Sequence, residues 1–353
     1  MKNCITLNLT ALFLFFFHSS CFSAVILQYH HVSDTTPKST SITPAQFAVH
    51  LKYLKEHNFN VIPLSEIMET IKKQQPLPDK TIAITFDDAY INILTKAKPL
   101  LNKFNYPYTI FINPSIIPEK PSSYLSWSQL KSLANEGVII ANHGFDHHSI
   151  TRIPDELTQA KWIAKQTELL LTAEKIIKTK IGKSWRYYAY PYGEYSPAIQ
   201  NWLKENDFIA FSQQSGAVGD YTNLTSVPRF PASMPYDDIS VLHDKLNSLP
   251  FNIQLQGKAA ETIFKYKQST SITFNITAND FEKSGLSCYI SGLGKQTIQW
   301  QSNSSFTINF NKDLPIGRVR CNCTAESISK PGRYYWYSKP WFILNEDGKW
   351  YDL

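Results

Sequence analysis

From residue 24 to about residue 249 the chain alternates two periodicities. Short apolar runs such as AVILQYH, TIAITF, YTIFIN, VIIANHG and FIAFSQ read as strands bounded by polar residues. Between them, apolar residues recur at the three- and four-residue spacing of helices. TPAQFAVHLKYLKEHN predicts a helix with Thr43 as N-cap and Pro44 at its first position. NILTKAKPLLNKFN, SWSQLKSLANEG, PDELTQAKWIAKQTELLLTAEKIIKTKIG and SPAIQNWLKEND predict others. Repeated strand-then-helix units imply parallel strands with helices outside, in a barrel or an open sheet. Functional groups in such folds gather at the carboxyl ends of the strands. After residue 250 the runs become short, alternating and broken by Asn, Gly and Asp, as in SITFNITAND, GLSCYISGLG and IGRVRCNCTA. That pattern predicts an antiparallel sandwich. The expected organisation is therefore a segment 1–23, a β/α unit over 24–249 and a small all-β sandwich over 250–353.

The first residues change the picture of where the chain works. Lys2, the apolar run Ala11 to Phe17 and small residues around Ser19 to Ala24 follow the order of a secretory signal. The apolar centre is too short to span a membrane comfortably, and no later segment resembles a transmembrane helix. The expectation is an exported protein, secreted or periplasmic, cut after Ser23 or Ala24. Cleavage leaves Cys288, Cys321 and Cys323, so Cys288 pairs with Cys321 or Cys323 and one thiol remains. The formal charge of +6 comes from scattered Lys, without the dense basic patch of a nucleic-acid binder.

Polar groups of an unusual kind stand at four strand ends. TFDDAY carries Asp87 and Asp88; NHGFDHHS carries His143, Asp146, His147 and His148; RYYAYPYGEY carries Arg186 and Tyr192; LQYHHVSD carries His30 and His31. Two adjacent carboxylates repel one another and resist burial, so something cationic must receive them. One carboxylate and two imidazoles make an open divalent-metal site, and Asp88, His143 and His147 supply that set. Asp87 is then free to act as general base. Tyr187, Tyr188 and Tyr190 are expected to pack the barrel, and one of His30 and His31 to be structural.

TFDDAY, NHGFDHHS and RYYAYPYGEY, in this order and spacing, resemble the successive motifs of the polysaccharide deacetylases of carbohydrate esterase family 4. The resemblance covers roughly residues 24–245. ILQYHHVSD resembles the start of the subgroup that deacetylates poly-β-1,6-N-acetylglucosamine. The resemblance implies a distorted (β/α) barrel and hydrolysis of N-acetyl groups from an N-acetylglucosamine polysaccharide. It implies a metal, zinc with cobalt or nickel accepted, on Asp88, His143 and His147, with His148 as the alternative second imidazole. It further implies Asp87 as base, Arg186 as the partner of Asp87, the backbone N–H of Tyr192 as an oxyanion donor, and His30 as the acid for the leaving amine. Gly144 departs from the pattern, since the family carries Ser or Thr after the first His. Arg229, in VPRFPAS, stands as a substrate contact. Chitin and peptidoglycan are the other substrates of this kind, and a non-catalytic polysaccharide-binding protein is the rival of a different class.

Overall fold

A computed structural model describes residues 23–120, 122–255, 257–268, 271–277 and 280–352; the expected signal segment lies outside the described residues apart from Ser23. The first part of the chain forms β1 (Ala24–Tyr29), the short parallel pair β2 (His31–Val32) and β3 (Ser41–Ile42), β4 (Asn60–Val61), β5 (Thr81–Phe86), β6 (Tyr108–Ile112), β7 (Ile139–Asn142), β8 (Tyr187–Ala189), β9 (Ile209–Phe211) and β10 (Phe230–Pro231). The helices are α1 (Pro44–Glu56), α2 (Leu64–Lys72), α3 (Lys98–Asn102), α4 (Trp127–Asn135), α5 (Gln159–Ile181), α6 (Pro197–Glu205) and α7 (Ile239–Leu246).

The main sheet runs β10-β1-β5-β6-β7-β8-β9, all parallel, with β4 beside the first half of β5. β1, β5, β6 and β7 are buried along their whole length, which explains their unbroken apolar runs. The ends of the sheet meet through the segment 224–229. Ala210 N–H donates to Leu224 O, Ser212 N–H to Val227 O and Arg229 N–H to Gln214 O, and Phe230 then pairs with Leu27 of β1. The result is the distorted (β/α) barrel expected from the sequence.

Local chemistry explains the helix boundaries. Thr43 Oγ1 accepts from Gln46 N–H at 3.1 Å and Pro44 opens α1, as expected. α5 starts later than PDEL suggested, because Thr158 is the residue that caps it; Gly182, at φ +98°, ends it. The helix expected over NILTKAKPLLNKFN is split into a wide turn, Ile93–Ala97, and α3. Lys98 N–H reaches Ile93 O five residues back, since Pro99 has no N–H to continue the ordinary ladder. Tyr187, Tyr188 and Tyr190 are buried, as packing residues should be.

Beyond residue 249 the chain builds two further sheets from β11 (Leu249–Pro250), β12 (Ile253–Gln254), β13 (Ile263–Phe264), β14 (Ser271–Ile276), β15 (Ser287–Ile290), β16 (Gly294–Lys295), β17 (Ile298–Trp300), β18 (Ser305–Asn309), β19 (Gly317–Glu326) and β20 (Tyr334–Ile343). One sheet runs β11-β20-β19-β15-β16 with β13 also on β20; the other runs β12-β14-β18-β17. Alternate residues of β14 and β19 point inward to a core that includes Phe274, Phe306, Val319 and Trp341. Cys288 and Cys323 sit opposite each other on β15 and β19 and form a disulfide, which leaves Cys321 as the buried thiol. Among the described residues no helix is long and apolar enough to cross a membrane.

Candidate active site

The geometry begins where β5 ends. Asp87 is still held in strand register, its N–H donating to Tyr29 O at 2.9 Å. The next two residues, Asp88 and Ala89, both take left-handed backbone conformations, at φ +71° and +57°. Such conformations cost an L-residue about 1 kcal/mol or more, so the surrounding fold must enforce them. This turn separates the two carboxylates and gives each its own environment.

Asp87 is fully buried. Arg229 donates to both its oxygens, Nη1 to Oδ1 at 2.7 Å and Nη2 to Oδ2 at 2.9 Å, and Gln28 Nε2 donates to Oδ2 at 2.7 Å. Burial alone would raise the pKa of this carboxyl; the charges of Arg229 and His143 and the Arg229 hydrogen bonds outweigh it and hold Asp87 well below the usual carboxylate range. His30 Nε2 lies 3.9 Å from Asp87 Oδ2, on a side chain that keeps 19% of its surface exposed.

Asp88 turns to the opposite partners. Its Oδ1 lies 3.4 Å from His143 Nε2 and 3.4 Å from His147 Nε2. The ligand atoms of Asp88, His143 and His147 all fall within 4.8 Å of one another. His143 Nδ1 is 2.8 Å from Ala189 O at the end of β8, which fixes the ring with its Nδ1–H donating and its Nε2 lone pair facing Asp88. Burial opposes a charge on His143, but Asp87 and Asp88 overcome it and raise its pKa; His147, where burial and His143 dominate, is lowered to about 4. Asp88 Oδ1 and His143 Nε2 are buried and have no hydrogen-bond partner. Two orphaned lone-pair atoms converging with the second imidazole, that of His147, fit a divalent cation and fit little else.

The loops that present these groups are braced from behind. Gly144 has φ +85°, and a Cβ there would stand 3.3 Å from Pro191 Cγ. Its N–H donates to Asn142 Oδ1 at 2.8 Å, and Asn113 Nδ2 donates to the carbonyls of His143 and Gly144. Asn142 is in turn held by Glu174 of α5, with Nδ2 to Oε1 at 2.9 Å. The absent Ser or Thr therefore does not leave the loop loose. His147 also adopts a left-handed conformation, φ +62°, and its ring meets the ring of Tyr192, itself at φ +58°, with centroids 4.6 Å apart.

Two expectations are corrected. Arg186 does not reach Asp87: it is exposed, donates to Asn206 O at 2.8 Å and lies over the Phe208 ring. Arg229 is no substrate contact, since it is fully buried and occupies the place expected for Arg186. Of His30 and His31, His31 is the structural one. Its ring stacks on Tyr90 at 3.5 Å and its Nδ1 meets Asn92 Nδ2 at 2.9 Å. His148 pairs with Asp146 on the surface, away from Asp88, so His147 is the imidazole the fold brings to the cluster. Gln28, Asn113, Asn142 and Glu174 were not legible as site residues. The one cue to Gln28 was an amide inside an otherwise apolar strand, two residues before His30 and so on the same face.

The polysaccharide deacetylase family matches residues 74–210. A poly-β-1,6-N-acetyl-D-glucosamine N-deacetylase of Staphylococcus aureus (strain MRSA252) is 28% identical over 229 residues, covering 59% of this chain and 78% of that protein. The chain carries a polysaccharide deacetylase domain. YxkH of Bacillus subtilis (strain 168) is 25% identical over 171 residues, and the match spans 48% of this chain and 57% of that protein's length. In fold, the deacetylase PplD of Streptococcus pyogenes superposes with a TM-score of 0.56 at 17% identity, over 64% of this chain and 98% of that one. IcaB of Ammonifex degensii does so with a TM-score of 0.54 at 24% identity, over 62% and 96%. The matched family range holds Asp87, Asp88, His143 and His147, while His30 and Arg229 stand outside it on either side.

Proposed function

We propose that this chain is an exported, zinc-dependent N-deacetylase of an N-acetylglucosamine polysaccharide, with poly-β-1,6-N-acetylglucosamine as its polymer. The observation that carries this reading is the pairing of two environments at one strand end. Asp88, His143 and His147 offer three converging ligand atoms, and the adjacent Asp87 is locked ionised by Arg229. A zinc ion held there would polarise the acetyl carbonyl and lower the pKa of the attacking water. Asp87, charged at any working pH, accepts the water's proton as it attacks. His30, within 3.9 Å of Asp87 and partly open to solvent, carries a proton to the nitrogen as the C–N bond breaks. The backbone N–H of Tyr192 helps neutralise charge growing on the carbonyl oxygen. Amide and water thus become acetate and a free glucosamine amine.

Residues 24–249 would form the catalytic unit and 250–353 an accessory sandwich. Export is supported by the order of residues 1–23 and by the Cys288–Cys323 disulfide, which belongs in an oxidising compartment. Acetate release from β-1,6 and β-1,4 N-acetylglucosamine oligomers by the zinc-loaded protein tests the reading. Release by the parent and its loss in Asp87→Asn, with zinc still bound, is the expected result. No release from either oligomer by a zinc-loaded parent would overturn it.

A further inference from the structure

Between the barrel and the C-terminal sheets lies a cavity of about 370 Å³, walled by the segment 214–228 on one side and by residues 250–255 and β20 on the other. None of Asp87, Asp88, His30, His143 and His147 lines it. Two of its lining side chains are buried amides with an unanswered acceptor: Gln214 Oε1 and Asn252 Oδ1 have no hydrogen-bond partner. Gln214 is 6% exposed and Asn252 8%. Their amide nitrogens are already committed, Gln214 Nε2 to Ser226 O at 3.0 Å and Asn252 Nδ2 to Thr277 Oγ1. The Tyr195 hydroxyl lies against the Gln214 amide, so Asn252 Oδ1 is the acceptor that calls most plainly for a donor from the cavity itself, with Gln214 Oε1 beside it, because buried acceptors are rarely left unpaired.

The rest of the lining narrows the chemistry of the donor. Tyr221 is 67% exposed at the mouth, and Trp336, whose Nε1 already donates to Ser338 Oγ at 3.1 Å, offers an aromatic surface inside. Among the described lining residues Lys339 is the one charged side chain, and its Nζ is engaged with Ala260 O at 2.6 Å. A cation would find no carboxylate there, and an anion only Lys339, whose Nζ is already turned to Ala260 O. A neutral molecule with hydroxyl donors around its rim and a C–H face for the aromatic rings answers every feature.

We propose that this cavity is a second saccharide site, taking one or two neutral pyranose units through hydroxyl donation to Gln214 Oε1 and Asn252 Oδ1. That the pyranose is N-acetylglucosamine, from a strand of the polymer leaving the catalytic centre, rests on the function proposed above; the site itself does not. Gln214 also ties the cavity to catalysis, since its backbone carbonyl receives the N–H of Arg229.

The test is calorimetric titration of β-1,6- and β-1,4-linked N-acetylglucosamine dimers into the full chain and its Asp88→Ala variant, with hydrogen exchange to locate binding. Binding is expected to persist in Asp88→Ala and to protect residues 214–223 and 250–255. It should weaken about tenfold in Gln214→Leu or Asn252→Leu, the cost of one lost hydrogen bond, and severalfold in Tyr221→Ala, a surface change that cannot unfold the chain. Binding that vanishes in Asp88→Ala, protection confined to the catalytic loops, or affinity unchanged by Tyr221→Ala and both amide variants would each overturn the proposal. Binding needs no turnover, so a chain that binds at the cavity yet releases no acetate refutes the deacetylase reading alone. A chain that releases acetate without protection at the cavity refutes the second site alone.

Discussion

Asp87 and Arg229 are both fully buried, so each depends on the other for its charge. Removing one partner of such a pair strands the other, at a cost of about 3–5 kcal/mol. Arg229→Ala should therefore lower stability by that amount in denaturant titration, whereas Arg186→Ala, which loses an exposed bond and an exposed contact with the Phe208 ring, should cost about 1 kcal/mol. Equal costs for the two would mean that the pairing is assigned wrongly. The contrast also shows what the sequence could reveal. Asp87, Asp88, His143 and His147 were legible because each sits in a short local motif at a strand end. The partner of Asp87 lies 142 residues away along the chain and Gln28 lies 59 away, and no local spacing reports such meetings. Lys339 offers a separate test at this scale. Burial lowers its pKa from 10.5 to about 7. The unfolded chain keeps that proton up to about pH 10.5 while the folded chain sheds it near 7, so this residue's contribution to stability rises with pH between those values. Unfolding free energies at pH 6 and pH 9.5 should show the rise, and Lys339→Met should reduce it, leaving the smaller rise from Lys245, whose pKa burial lowers to about 8; an unchanged slope would show that Lys339 is solvated.

At the level of elements, the site is shaped by loops that are held in left-handed turns from behind. Gly144→Ser would install the residue that the family carries, yet it is expected to destabilise the protein by about 1–2 kcal/mol, because φ is +85° and Pro191 stands against the new Cβ. A neutral or stabilising effect in thermal unfolding would contradict the account of that loop. The loop after β8 has its own clamp. Glu194 is buried and receives Arg152 through Nε at 2.8 Å and Nη2 at 2.6 Å, with Ser149 Oγ at 2.5 Å. Arg152 Nη1 also donates to Tyr351 O at 2.6 Å, which ties the C-terminal stretch to the turn carrying Tyr192. Arg152→Ala should cost about 2–3 kcal/mol, less than a fully buried pair because Arg152 is partly exposed. It should also speed amide exchange over residues 190–196. Unaltered exchange there would show the clamp to be incidental.

Across the whole molecule, the strand-and-helix alternation and the change of pattern near residue 250 were readable because periodicity follows directly from which faces are buried. The closure of the barrel was not readable, since residues 224–229 carry no strand signature and join the sheet by backbone bonds to β9 and to Ser212 and Gln214 just beyond it. That closure is what delivers Arg229 to Asp87, so fold and chemistry depend on the same segment. In the proposed function, Asp88, His143 and His147 bind one divalent cation whose presence switches on acetate release from an N-acetylglucosamine polymer. The measurement that tests it most directly is zinc titration of the chelator-stripped protein, following bound metal and acetate release together. One zinc per chain, with release rising in step and both lost in His143→Ala, is the predicted result. Release that persists without metal, or a chain that binds no zinc, would contradict the account.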